Sequence, residues 1–402
     1  MQVSASAVLA AALTLITLSL PVVPLSDGRQ VDQTGPSSPP AFRQAAAGYR
    51  YFFPREHGSH EEFRTEWWYY TGHLTTTHGR RFGYELTFFR RGIDHEHVRS
   101  NPSSWAIRHL YLAHFALSDH ARTRFRYAEK MSRAGLGKAG AEPGRLRIWI
   151  DQWSAEADAS GLGPHRLKAA TDQFAIDLSL TPEKPPVIHG RDGVSRKGAA
   201  PEQASHYYSL TRLDTLGSIV VDGQREAVTG ISWMDHEFGS GDLGEDQVGW
   251  DWFSVQLENR TELMYYRLRR ADGSADPASS GTLVFSDGRS QPLSADDLRV
   301  DTLEYWTSRA SGARYPSRWR LSVPSLGLSL ELAPYLSDQE LVTRRSTQVT
   351  YWEGAVLVRG HLRDQSLSGQ GYVELTGYAE PLRERLSTAP PRRSGTKPGV
   401  TG

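Results

Sequence analysis

Phe82-Gly-Tyr-Glu-Leu-Thr-Phe88 puts a large apolar or aromatic side chain at every second position, with Gly83, Glu85 and Thr87 between them. A period of two is the pattern of a strand with one face buried. The alternation returns where Trp319, Leu321 and Val323 have polar neighbours, and where Leu326, Leu328, Leu330 and Leu332 alternate with Gly327, Ser329 and Glu331. Val221-Asp-Gly223, Ala271-Asp-Gly273 and Ser286-Asp-Gly288 punctuate the chain with turn signals of the kind antiparallel hairpins need. Long helical stripes are scarce; the segments around Glu129 to Leu136 and Ser294 to Leu298 are short helix candidates. Many short strands rich in Tyr and Trp make the expected fold all-β, a barrel or sandwich.

At 402 residues the chain exceeds what one core usually organises, so two domains are expected. His206-Tyr-Tyr-Ser-Leu210, a hairpin and Gly230-Ile-Ser-Trp-Met-Asp235 resemble Thr350-Tyr-Trp-Glu-Gly354, a hairpin and Gly371-Tyr-Val-Glu-Leu-Thr-Gly377. Each set reads as the closing strands of one barrel, which divides the chain near residue 240 into tandem barrels over 49–240 and 241–382. Ahead of them, Ala7 to Leu20 is an apolar run of signal-peptide length, so residues 1–25 read as a signal peptide or anchor, although no Lys or Arg precedes the run. Residues 26–48, rich in Ser, Pro, Gln and Ala without periodicity, read as a flexible linker, and residues 383–402 as a disordered tail. The expected location is therefore periplasmic or secreted. Acids and bases number 46 each, which argues against nucleic acid or an anionic membrane as a partner. With no cysteine there is no disulfide, thiolate chemistry or thiolate-held zinc.

Two clusters combine ionisable groups with large aromatics, where pKa values become perturbed. One runs from His57-Gly-Ser-His60 through Glu66-Trp-Trp-Tyr-Tyr-Thr-Gly-His-Leu74; the other is Gly230-Ile-Ser-Trp-Met-Asp-His-Glu-Phe-Gly239 with Gly249-Trp-Asp-Trp-Phe-Ser254. A carboxyl group desolvated among aromatics keeps its proton to higher pH and can deliver it. Asp235, Glu237 and Glu66 are the candidate acids, and His236 the group that orients the attacking water. Trp67, Trp68, Tyr70, Trp233, Phe238, Trp250, Trp252 and Tyr265 are the candidate walls of a hydrophobic ligand site, the Trp faces suited to a carbocation. The plainer alternative makes Asp235 and His236 a mutual ion pair and the aromatics ordinary barrel core.

Nine of the fourteen histidines fall between His57 and His120. His57 with His60, and His95 with His97, have ligand-like spacings to which Glu66 or Asp94 could add oxygen, but such spacing on a strand needs no metal. No cofactor or metal ligand is assigned. Gly-x-Ser-x-Gly, Walker and dinucleotide motifs are absent from the sequence, which leaves serine hydrolysis and nucleotide use without support.

The Glu66 to Leu74 stretch, Trp233-Met-Asp-His-Glu-Phe-Gly239, Trp250-Asp-Trp-Phe253, Tyr351-Trp-Glu-Gly354 and Gly369-Gln-Gly-Tyr-Val-Glu-Leu-Thr-Gly377 resemble, in order, the AttH-like family. That family contains the carotenoid 1,2-hydratases and a group named predicted secreted hydrolases, and the resemblance spans about residues 50 to 380. It implies two consecutive lipocalin-like barrels. In the hydratase branch an Asp-His-Asn-Trp-type motif is followed by a Tyr-x-Asp whose Asp is the proposed proton donor. Asp235-His236-Glu237-Phe238 matches the first with Phe for Trp; the second falls near Met264-Tyr-Tyr-Arg267, without the Asp. The family's donor cannot be carried over, and the chain looks closer to the secreted-hydrolase branch. Three functions are carried forward: a hydratase or hydrolase adding water to a lipid or isoprenoid-like substrate by acid catalysis, a hydrophobic-ligand carrier of the cell envelope, and a metal-assisted hydrolase in which Glu66 activates a metal-bound water.

Overall fold

Residues 42–93, 103, 107–158, 160, 161 and 163–382 are described by a computed structural model. The apolar N-terminal run, most of the expected linker, the tail, and Asp94, His95 and His97 lie outside the described residues.

Two antiparallel sheets account for the fold. The first is built from β1 (Thr65–Thr76), β2 (Arg81–Gly92), β3 (His109–Asp119), β4 (Arg124–Arg133), β5 (Ala139–Ala141), β6 (Arg147–Ile150), β7 (Trp153–Glu156), β8 (His165–Ala170), β9 (Phe174–Pro182), β10 (Val187–Ile188), β11 (Ser195–Arg196), β12 (Ala204–Val221) and β13 (Gln224–Gly239). The second is built from β14 (Gln247–Leu257), β15 (Glu262–Arg270), β16 (Ser280–Val284), β17 (Ser290–Ser294), β18 (Arg299–Thr307), β19 (Arg314–Val323), β20 (Leu328–Pro334), β21 (Glu340–Val342), β22 (Thr350–Leu362) and β23 (Gln365–Leu375). The strand order is β4-β3-β2-β1-β13-β12-β9-β8-β7-β6-β5 in the first and β17-β16-β15-β14-β23-β22-β20-β19-β18 in the second. The first sheet curls until β4 lies against β5 and β6. Both follow one plan, in which the opening strand pairs with the last: β1 with β13, and β14 with β23.

The closing hairpins are the two segments whose sequences resemble one another. In the first, Val221 pairs with Gln224 across Asp222-Gly223, whose φ values of 52° and 78° are what a two-residue hairpin turn demands. The two expected helices do not form. Glu129 to Arg133 continues β4, paired with β3, and Leu136 sits in the following turn. Ser294 ends β17, and the acids after it serve a turn in which the Asp297 carboxylate accepts the Ser294 N–H at 2.8 Å. Residues 42–48, at the end of the stretch expected as linker, are seated on the first sheet: Ala45 packs with Phe63 and Phe238, and the Arg43 carbonyl accepts from Ser240 at 2.5 Å.

Among the described residues, period-two alternation sorts most buried apolar side chains into three larger cores. Trp68, Tyr70, Tyr84, Leu86, Phe115, Tyr208 and Met234 fill the first barrel. Phe253, Tyr265, Trp319, Leu330, Trp352 and Val373 fill the second. Tyr69, Tyr207, Trp233, Trp252, Met264, Tyr266 and Tyr372 form a third core where β1 and β2 pack against β22 and β23. An ionic clamp secures the same junction. Buried Glu262 accepts from Arg212 Nε at 2.7 Å and from the Lys184 ammonium, and Lys184 also donates to the Arg260 and Phe285 carbonyls. Removing one member of such a cluster strands buried charge. Glu262→Gln should therefore cost about 3–5 kcal/mol in urea unfolding, and wild-type stability in that variant would contradict a clamp.

Candidate functional site

Strand β13 is buried on both faces from Trp233 to Gly239, and alternation deals its residues out to different places. Trp233, Asp235 and Glu237 enter the junction between the barrels, while Met234, His236 and Phe238 turn to the other side. Asp235 and His236 are therefore neither an ion pair nor partners in one site. Their relays differ as well.

On the His236 side, Glu66 is the hub. Its Oε1 lies 2.9 Å from His60 Nδ1 and 2.9 Å from His236 Nε2, and its Oε2 accepts from Arg90 Nε at 2.9 Å. His60 Nε2 is 3.0 Å from Glu56, and His236 Nδ1 is 3.0 Å from the Tyr208 hydroxyl, which in turn meets His57 at 2.7 Å. Burial alone would raise the Glu66 pKa, but Arg90, His236 and His60 together hold it well below the usual range. Burial likewise opposes His60, yet Glu56 and Glu66 raise it to about 9. Two carboxylates thus face two cations, and the network is closed by its own charges. His60, Glu66 and His236 place three ligand atoms within 4.8 Å of one another, a donor set that suits zinc. Their 2.9 Å contacts are hydrogen-bond lengths, however, and Arg90 already neutralises the carboxylate. Trp68 stacks on His236 with centroids 4.7 Å apart, and the Tyr70 hydroxyl lies 3.0 Å from His165 Nδ1.

On the Asp235 side the acid sits among donors. Tyr207 donates to Oδ2 at 2.5 Å, and Trp233 Nε1 and the Ser209 hydroxyl donate to Oδ1. Behind Ser209, His189 Nε2 lies 2.7 Å from its hydroxyl and His189 Nδ1 lies 2.8 Å from Thr282 of the second barrel. Because Ser209 gives its proton to Asp235, it must accept from His189 Nε2–H, leaving Nδ1 to accept from Thr282. The result is a directed relay from one barrel to an acid on the other. Burial pushes the Asp235 pKa up to about 7, aided by the nearby Glu237 charge, against the lowering by its three donors. Glu237 accepts from Ser205 at 2.5 Å and pairs with Lys197 at 3.1 Å.

The second sheet adds more acid. Glu374 accepts from Trp250 at 2.8 Å, and Glu353 accepts from Tyr69 at 2.5 Å. Burial raises Glu374 to about 7, Glu85 to about 8, and Glu353 well above the carboxylate range. Of the expected wall residues, Trp67, Trp233, Trp250 and Trp252 meet in this junction, with Trp252 donating to Tyr207 at 3.0 Å. Trp68 and Tyr70 line the first barrel's interior, Phe238 stacks on His60 with centroids 3.7 Å apart, and Tyr265 belongs to the second barrel's core. The sequence reading missed Tyr207, Ser209, His189, Thr282, Glu85, Glu353 and Glu374. Tyr207 and Ser209 lay in a stretch read only for topology; a lone His189 carries no local signal.

These features define a class: an all-β, two-barrel, lipocalin-like protein with a buried acidic junction. The AttH-like family model matches residues 44–378, and the chain belongs to that family. Among solved structures it is similar to an AttH protein from Nitrosomonas europaea, 33% identical, covering 84% of this chain and 100% of that one with a TM-score of 0.76. It also resembles kievitone hydratase from Nectria haematococca, 17% identical over 84% of this chain and 96% of that one, TM-score 0.64. CghA is 12% identical over 79% and 89%, TM-score 0.50. No curated protein matches the chain.

The acids carry a pH signature. A carboxyl whose folded pKa is raised keeps a proton the unfolded chain has lost, so stability falls as pH climbs from about 4 through the folded value. Buried His73, His114, His165 and His189, with folded pKa values depressed by burial, pull the other way only below about 6.5. Above that, Asp235, Glu374, Glu85 and His60 all act in one direction. Stability in urea melts should fall between about pH 6.5 and 8.5, and Glu85→Gln should lessen the fall by roughly 2 kcal/mol. A rise across that window would contradict the assignment.

Proposed function

We propose that the protein is a hydratase-type enzyme that adds water to a double bond of a hydrophobic, isoprenoid-like substrate, with Asp235 as general acid in the junction between the barrels. The observation that carries this reading is Asp235 itself: fully enclosed, poised to titrate near pH 7, and set beside the Trp233 and Trp252 rings. The Asp235 proton forms a C–H bond at one alkene carbon. The cation left on the other carbon is stabilised by the ring faces and the Glu237 carboxylate. Water adds to that carbon, and the proton it sheds returns to Asp235, so the acid is regenerated.

The likeness to kievitone hydratase is in keeping with this chemistry, and family membership supports the same class. Glu66 and His236 act in the proposal only as the buttress that fixes β1 against β13. The apolar run at Ala7 to Leu20 makes export part of the proposal. Among the described residues no helix is long and apolar enough to cross a membrane.

The test is incubation with isoprenoid alkenes in isotopically labelled water, with product read by mass spectrometry. Wild type should incorporate one labelled oxygen per molecule, with activity falling as pH rises through about 7. Asp235→Asn should lower kcat at least about 100-fold while leaving thermal stability near wild type. Full activity in Asp235→Asn would sink the acid assignment, and ligand recovered bound but unchanged would favour a carrier.

A further inference from the structure

The two carboxyl oxygens of Asp235 are not furnished alike. Oδ1 accepts from Trp233 Nε1 at 2.6 Å and from the Ser209 hydroxyl, whereas among the described residues Oδ2 accepts from Tyr207 alone, at 2.5 Å. Each carboxylate oxygen offers roughly two acceptor sites, so Oδ1 is full and Oδ2 keeps one lone pair open. The indole N–H of Trp233 can only donate. The Ser209 hydroxyl has one proton and two neighbours, Asp235 Oδ1 and His189 Nε2, and its direction depends on which nitrogen of His189 is protonated.

His189 is held so that this choice is made for it. It follows β10, where Ile188 pairs with Tyr208 of β12, and its backbone N–H donates to the Tyr207 carbonyl at 2.9 Å. The side chain is buried, its ring tilted against that of Tyr207 with centroids 4.4 Å apart. Burial, reinforced by the Lys197 charge, depresses its pKa to about 3, so the neutral ring has one proton to place. Nδ1 lies 2.8 Å from the buried hydroxyl of Thr282 on β16, which makes no other hydrogen bond among the described residues. A proton on Nδ1 would turn the Thr282 proton out of its one bond inside an enclosed site. With Thr282 donating, the ring proton stays on Nε2 and faces Ser209.

We infer that His189 is a positioning residue: set by Thr282 of the second barrel, it holds Ser209 as a donor to Oδ1 and so reserves Oδ2 for the proton that Asp235 delivers. That oxygen assignment rests on the acid chemistry proposed at Asp235. The charged and titratable groups around the pair are Tyr207, Lys197, Glu237 and Glu374. Lys197 is paired with Glu237 at 3.1 Å, and none of the four takes the place of His189 at Ser209. Without the His189 N–H, the Asp235 proton can settle on Oδ1, point at Ser209 and be withheld from the substrate.

The test is made on the full chain. In ¹⁵N NMR of the histidine rings, with His189 assigned by its loss in His189→Gln, the neutral Nε2–H form should persist from about pH 5 to about 9. A neutral Nδ1–H form, or protonation of the ring inside that range, overturns the inference. His189→Leu should lower kcat at least about 30-fold with KM changed less than about 3-fold. It should also raise the Asp235 midpoint by about half a unit or more, because the neutral acid gains Ser209 as an acceptor. His189→Gln, whose amide N–H can stand where Nε2–H stood, should recover all but about 5-fold of the kcat. Equal impairment in the Leu and Gln variants, or an unmoved Asp235 midpoint in His189→Leu, would reduce His189 to packing and sink the inference. Thr282→Val removes only the donor to Nδ1 and should bring the Nδ1–H form into view; a pure Nε2–H signal there contradicts the part given to the second barrel. Should wild type hydrate no alkene, the acid chemistry fails, while the tautomer and midpoint measurements still decide whether His189 directs Ser209.

Discussion

The molecule depends on one strand being buried from both sides. Between Trp233 and Gly239, β13 has the first barrel's interior and its Glu66 network on one face and the second barrel on the other. Since neighbouring side chains point opposite ways, register alone decides which acid meets which environment. A slip of one residue would send Asp235 into the Glu66 and Arg90 network and turn His236 against Trp252. Pairing with β1 and β12 along nearly the whole length of β13 prevents it.

The two faces handle buried charge differently. Around Glu66, anions and cations are matched, with Glu66 held ionised and His60 held protonated by their partners, and Glu262 is likewise paired with Arg212 and Lys184. Around Asp235, Glu85, Glu353 and Glu374 the acids outnumber the cations, with Lys197 engaged at Glu237. Low dielectric without counter-charge leaves protonation as the way to be buried. A protein needing only to hold its barrels together would gain by filling that junction with apolar side chains, so the protonated acids are the strongest sign of chemistry there.

Much of the architecture is legible in the chain. Phe82 to Phe88 announces a half-buried strand, Val221-Asp-Gly223 a hairpin, and the likeness of the two closing hairpins a tandem repeat. Asp235, Trp233 and Trp252 were legible as a group because they crowd one short segment. What the reading overlooked at Asp235 and His236 was already implied by period two, since adjacent residues on a strand cannot serve one face. The helix expected at Glu129 yields to pairing with β3, a tertiary demand that local composition does not display. Partners such as His189, Thr282, Glu85 and Glu353 come from distant strands, and only sheet register and the packing of one barrel on the other bring them to Asp235.

The central claim is that Asp235 holds a proton near neutral pH, and carboxyl ¹³C NMR titration, with the Asp235 signal assigned by its loss in Asp235→Asn, measures this without knowledge of the substrate. A midpoint near 7 is the result this account predicts. A midpoint near the ordinary value of about 4 would contradict it, and the junction would then be an ionised structural interface rather than the seat of an acid.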